Sequence, residues 1–340
     1  MARGIPRLLV LLCAAPLFAQ PYRPDRITAT RVISAESLRA SVTFLASDEL
    51  EGRATPSPGL DKAADYIAEQ FRQIGLAPIN GSYFQEAPVN GGTARNVAGL
   101  YRGSDPKLRD TYVIVSAHYD HVGLAKTGDD LIFNGANDDA SGTASVIEIA
   151  KVIASIRPAR SVLFLTFFGE ERGLLGSRYY GQHPLVPLES TIAQVNLEQL
   201  GRTDATNGPQ VRGANVTGFD MSDLPAIMAD AAAKPNGVRI WKDATASDAY
   251  FGRSDNQALA DLGIPAHTLS VAYNFPDYHK VTDSAEKLDY ENMALIDRAI
   301  SLGVMELASN APPPTWNEGY APANKYAEAA RKLHATSATN

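Results

Sequence analysis

The 340 residues contain one cysteine, Cys13, and it falls in the apolar stretch "LLVLLCAAPLFA" near the amino terminus. If that stretch is removed, no disulfide, no cysteine nucleophile and no thiolate metal site is available, so the fold must rest on its core and on any bound metal. Positive charge is also sparse. The formal net charge is −7, and no Lys/Arg cluster offers a phosphate track, which excludes nucleic acid as a partner. Long hydrophobic runs are missing too. The apolar stretch is too short for a comfortable membrane span. With Arg3 and Arg7 before it and small residues near Ala19 closing it, residues 1–19 read as an export signal, the alternative being an uncleaved anchor. A leucine precedes Cys13 where a lipid-attachment motif wants a small residue. The expectation is an exported protein, periplasmic or extracellular, with no stable membrane insertion after signal removal.

The hydrophobic content of 45% supports a sizeable core. "SAESLRASVTFLASDELEGR" begins as a helix entered through Ser34, and "GLDKAADYIAEQFRQIGL" is an amphipathic helix with Gly75 as its stop. Beyond them, "DTYVIVSAHYDH", "RSVLFLTFFG", "TIAQVNLEQLG" and "GIPAHTLSVAY" read as strands. "GTASVIEIAKVIASI", "LLGSRYYGQH" and "YENMALIDRAISLGVMELAS" read as helices. This alternation predicts an α/β fold, a mostly parallel, mixed central sheet with helices on both faces. One domain is expected over 20–310, its helical segment 34–76 included. A Pro- and Ala-rich tail over 311–340 is expected to be loosely docked or disordered.

In such sheets a site gathers beyond the carboxyl ends of the strands. His118 and Asp120, the adjacent Glu170 and Glu171, and Glu198 each end a greasy run. A ligating imidazole commonly gives its other N–H to a carboxylate, which suits His118 and Asp120, although a structural His–Asp pair has the same spacing. His121 is expected to lean to the other side. Asp138 and Asp139, in "GANDDASG", could bind metal or cap a helix, a task that Ser141 explains well. Glu170 and Glu171 point in different directions, so one can ligate while the other works on water; an ion pair with Arg172 or Arg178 is the alternative. Glu198 alone suits a hydrogen-bonded structural acid, and His279 alone a solvated loop. His183, His267 and His334 carry no expected role. Taken together, two histidines and several carboxylates without thiolate suit zinc held by N and O donors.

"HYDH", "GANDDASG", "FFGEERGLLGS", "VNLE" and "DYHKVTDS", in this order, resemble the motifs of metallopeptidase family 28, the two-zinc exopeptidases of bacterial leucyl aminopeptidase type. The likeness extends over roughly residues 35–305. It implies the zinc exopeptidase fold (phosphorylase/hydrolase-like), peptide substrates and two Zn2+. It further implies His118 and Glu198 at one zinc, Glu171 and His279 at the other, Asp138 bridging, and a cis peptide between Asp138 and Asp139. Glu170 would be the general acid/base and Asp120 the partner of His118. Two positions depart from the family: Glu198 stands where aspartate is common, and Asn256 where a histidine is common. Only "FQEAPVNGGTAR" lies between Tyr83 and Asn96, too short for the protease-associated insert of some members.

The chemistry so implied is hydrolysis of the N-terminal peptide bond by a metal-bridging hydroxide, Glu170 taking its proton and passing it to the leaving amine. Tyr250, Phe251 and Tyr273, with Phe275, lie in loops around His279 and could line a pocket for apolar side chains, or could be core. A carboxypeptidase would need a cation for the substrate carboxylate, for which Arg253 or Arg202 could serve. A glutaminyl cyclase would not require the full ligand set. A non-catalytic scaffold should lack ligands, whereas all five positions hold ligating residues.

Overall fold

The computed structural model describes Met1 and residues 32–337, apart from 207 and 234–236; the expected signal over 1–19, with Arg3, Arg7, Cys13 and Ala19, lies outside the described residues. Helix α1 (Ala35–Leu45) opens with the Ser34 side chain accepting from the N–H of Ser37, and α2 (Pro58–Ile74) ends at Gly75, whose φ of 87° is the left-handed cap. A hairpin follows, β1 (Phe84–Val89) and β2 (Gly92–Tyr101), in the stretch too short for an insert. The remaining elements are β3 (Tyr112–His118), the small pair β4 (Gly123–Leu124) and β5 (Ile132–Phe133), α3 (Gly142–Ile156), β6 (Ser161–Phe167), α4 (Leu175–Gln182), β7 (Thr191–Leu197), β8 (Gly213–Val216), α5 (Leu224–Ala233), β9 (Arg239–Trp241), α6 (Asn256–Ala260), β10 (Ala266–Ser270), α7 (Tyr290–Ser309) and α8 (Asn324–Ser337).

Eight strands form one sheet in the order β1-β2-β6-β3-β7-β10-β8-β9. The four central strands β6, β3, β7 and β10 are parallel, β1 and β2 add an antiparallel edge, and β8 joins β10 antiparallel. Burial explains the uninterrupted apolar runs. Val113, Val115, Val162 and Phe164 face the layer holding α1, α2, α3, α5 and α7, while their neighbours Ile114, Leu163 and Leu165 face the layer with α6 and α8. With both faces covered, the two-residue period vanishes from the sequence.

The segment from Ala311, expected to be loose, is docked through residue 335. Trp316 is 6% exposed, donates through Nε1 to the Gly263 carbonyl at 2.8 Å, and stacks on Tyr326 with ring centroids 4.9 Å apart. Proline-rich composition concealed three anchors, Trp316, Ala323 and Tyr326, that bury against Phe251 and His267. No helix among the described residues is long and apolar enough to cross a membrane.

Candidate metal centre

The parallel strands deliver the chemistry. His118 is the last residue of β3, Glu198 follows β7, Glu170 and Glu171 form a 3-10 turn after β6, and His279 sits in the loop after β10. Asp138 comes from the turn leading into α3, and its peptide with Asp139 is cis. One atom of Asp138 meets each side: Oδ1 lies 3.2 Å from Nε2 of His118, and Oδ2 lies 3.1 Å from Nε2 of His279. His279 Nε2 is also 3.0 Å from Oε1 of Glu171. Thus His118, Asp138 and Glu198 converge as one group, and Asp138, Glu171 and His279 as another.

These contacts are not hydrogen bonds. Nε2 of His118, Oδ2 of Asp138, Oε1 of Glu171 and Nε2 of His279 are buried and have no partner in hydrogen-bond geometry. Buried polar atoms without partners are costly, so donor atoms close in distance but misaligned with one another call for a cation between them. Electrostatics says the same. Burial pushes the Glu170 carboxyl well above the usual carboxylate range; His118 opposes this, and the charges of Glu198, Asp255 and Glu171 add to it. Burial raises Glu198 to about 7. The neighbouring carboxylates of Asp138 and Glu171 push His279 above the usual imidazole range. Nitrogen with carboxylate donors, and no thiolate, is a zinc set.

The supporting shell is polar and specific. Oδ1 of Asp120 lies 3.5 Å from Nδ1 of His118, and Thr143 Oγ1 donates to the His118 carbonyl at 2.7 Å. The Asp283 carboxylate accepts from the N–H groups of Asn137 and Asp138. Helix α3 is capped by Asp139, not by Ser141: Oδ1 of Asp139 accepts from Gly142 and Gln199, whereas Ser141 Oγ donates to the Asn137 carbonyl. No ion pair among the described residues joins Glu170 or Glu171 to Arg172 or Arg178, and Arg178 donates instead to the Gly173 carbonyl.

His121 and Arg53 were among the residues missed. His121, expected to lean away, is buried in the Glu171–His279 group, its Nδ1 2.9 Å from Oε1 of Glu171. Arg53, fully buried, donates to the carbonyls of Tyr119, Leu45, Asn134 and Gly135 and so ties the "HYDH" and "GANDD" turns together. Its only signal is an arginine inside "LEGR".

A cleft over the carboxylates is lined by Asp138, Glu170, Glu198, Tyr250, Arg253, Tyr273 and Tyr278. It adjoins a cavity of about 290 Å³ that shares Tyr250 and Tyr273, which stack 4.9 Å apart. That cavity also presents Asn215, Asp243 and Thr245, so its wall is mixed rather than apolar. Phe251 does not line it: the ring is buried against His267, Trp316 and Tyr326. Phe275 is buried beneath Arg202. Arg202 is committed to Asp204 and Asp277. Asn256 is structural: its amide donates to the Phe251 and Ala266 carbonyls, and its oxygen accepts from Thr268. Tyr278, unforeseen, stacks on the His279 ring at 4.0 Å.

Comparison with known proteins bears on the family and the fold. YfbL of Escherichia coli K12, described as uncharacterised, is 26% identical over 87% of this chain and 95% of its own length. A probable zinc metalloprotease of Pyricularia oryzae is 25% identical over 81% of this chain, which spans 64% of that protein. Among solved structures, the aminopeptidase of Aneurinibacillus sp. AM-1 superposes with a TM-score of 0.68 at 19% identity, over 85% of this chain and 97% of that one. A glutaminyl cyclase of Porphyromonas gingivalis gives 0.63 at 18% identity, over 81% and 99%. These two likenesses establish the α/β fold. Residues 96–304 match the model of peptidase family M28, so the chain belongs to peptidase family M28.

Proposed function

We propose that the chain is a zinc-dependent aminopeptidase that removes N-terminal residues from peptides. The carrying observation is the side-by-side pair at the cleft: Glu171 turned into a group of metal donors, and Glu170 beside it facing the cleft with a proton affinity raised by burial. His118, Glu198, Glu171 and His279 would hold two zinc ions, with Asp138 between them. Zinc, when bound, supplies Lewis acidity for a peptide carbonyl and for water. Glu170 then takes a proton from the attacking water and returns it to the leaving amine, so that water and peptide become carboxylate and free amine. Asp120 orients His118 and anchors the Glu170 backbone. The adjoining cavity would take one substrate side chain beside the scissile bond, which suits an exopeptidase.

One observation favours a carboxypeptidase as the second reading. Arg253 lines the cleft over the Tyr250 ring, and no carboxylate among the described residues pairs with it. A glutaminyl cyclase would need one metal, and the second donor group speaks against it. We read residues 1–19 as an export signal, which the mass of the exported protein would test.

Mass spectrometry of products from free, N-acetylated, C-amidated and N-terminal glutamine peptides, with and without chelator, separates these readings. The expected result is chelator-sensitive loss of N-terminal residues, blocked by acetylation and indifferent to amidation. Trimming from the carboxyl end, or loss of ammonia from glutamine, would overturn it.

A further inference from the structure

We propose that His121 is a metal ligand, so that the two metal positions are chemically unequal: one enclosed by four protein donors, the other held by three. This rests on the reading that the donor groups hold zinc. The first set is His121 Nδ1, Asp138 Oδ2, Glu171 Oε1 and His279 Nε2; the second is His118 Nε2, Asp138 Oδ1 and a carboxylate oxygen of Glu198.

Geometry separates a ligand from a mere neighbour. Around a tetrahedral zinc with donors at about 2.0–2.1 Å, the donors stand roughly 3.3 Å from one another. The measured separations are 2.9 Å for His121 to Glu171, 3.0 Å for His279 to Glu171, 3.1 Å for His279 to Asp138 and 3.9 Å for His121 to Asp138. They bracket that edge length. If His121 served only to steady Glu171, an N–H of the ring would point at the carboxylate. It does not: Nδ1 of His121 and Oε1 of Glu171, 2.9 Å apart, both lack any partner in hydrogen-bond geometry, as does Nε2 of His121. A wholly buried imidazole with two idle nitrogens is otherwise expensive.

The ring is also fixed where it stands. Its backbone N–H donates to the carbonyl of Arg53 at 3.3 Å, and the ring meets His279 edge-on with centroids 5.5 Å apart. Gly135, at φ 59°, makes room for it: a Cβ there would stand 2.5 Å from Cγ of His121.

Four protein donors are the closed form of a zinc site and three the open form, in which the remaining position takes water or substrate. The His121 position is therefore the tighter, structural one, and the His118–Glu198 position the one that exchanges ligands. The longer Glu198 stands at the open site, where a change of reach is tolerated without loss of the enclosed ion.

Zinc titration of the metal-free full chain, labelled with 15N-histidine and followed through the ring nitrogens, tests this without any turnover. Three of the six histidines should move, two with the first equivalent (His121 and His279) and one with the second (His118). By calorimetry, His121→Gln should weaken the first site at least about tenfold and leave the second within about twofold. Movement of two histidines only, or unchanged affinities at both sites in His121→Gln, would overturn the assignment while leaving a two-zinc enzyme intact. Should the variant fail to fold, the wild-type count of shifting histidines decides. Three shifting histidines in a protein that trims no peptide would sink the proposed activity and keep this inference.

Discussion

The backbone N–H of Glu170 donates to Oδ1 of Asp120 at 3.0 Å, and that same oxygen lies 3.5 Å from Nδ1 of His118. Nδ1 of His118 makes its hydrogen bond to the Asp120 carbonyl at 3.2 Å, so Asp120 orients a metal ligand through its backbone, sets charge behind it through its carboxylate, and with that carboxylate positions the proposed base. Asp120→Asn keeps the size and an acceptor oxygen but removes the charge behind the imidazole. The expected outcome is a 10–100-fold fall in kcat together with weaker zinc binding at the His118 site. Steady-state kinetics and a zinc competition assay on the same preparation check both halves.

Glu170→Gln should behave differently. The side chain belongs to neither donor group, so zinc content should stay at the wild-type level while turnover falls by about 100-fold or more. Metal analysis beside kinetics tests this. Retained turnover would remove Glu170 from the role of base.

Gly135→Ala should damage the centre from outside it. The new methyl group would collide with the Asp138 carbonyl and the His121 ring, besides straining a left-handed backbone. Zinc affinity should fall by about 10–100-fold. Gly75→Ala is the control, because it has φ 87° but nothing within 4 Å of the added carbon. It should cost only the backbone strain of about 1–2 kcal/mol and leave zinc binding alone.

His267, packed against Phe251 and Trp316 in the fold's second layer, should contribute acid sensitivity. Its Nδ1 donates to the Thr217 carbonyl, its Nε2 accepts from Ser222, and burial lowers it from 6.5 to about 4. Because the folded value is depressed, the neutral ring's contribution is complete above pH 6.5 and is lost as pH falls through 4. At about 1.4 kcal/mol per pH unit, the contribution of His267 should fall by roughly 2–3 kcal/mol between pH 7 and 4.5. Denaturant titrations of wild type and His267→Gln at both pH values should differ in their pH dependence by this amount, the wild type losing more stability on acidification.

The four central strands and the acids at their ends were legible because a buried parallel strand is a plain apolar run and the residue after it is conspicuous when charged. His118 could be read from that rule. His121 could not: β3 stops at His118, the two-residue alternation stops with it, and the following turn is bent by Arg53, a residue distant in sequence that holds the Tyr119 and Gly135 carbonyls. Ser141 misled for a related reason, since the cap came from Asp139, whose side chain also reaches across to β7. The pocket was harder still. Tyr250 and Phe251 are adjacent in sequence, yet one ring lines the cavity and the other is core, a division set by the Trp316 segment.

That segment has a consequence for what counts as the smallest working unit. The stretch on which family membership rests ends at 304, but the hollow formed by Phe251, His267 and Gly263 is filled from outside it, by Trp316, Tyr326 and the backbone of Ala330, which comes so close that Gly263 has no space for a side chain. A polypeptide ended just after α7, at residue 310, would retain every metal donor and still present an aromatic-lined trough to solvent. Self-association through that trough, rather than loss of zinc, would be its first failure.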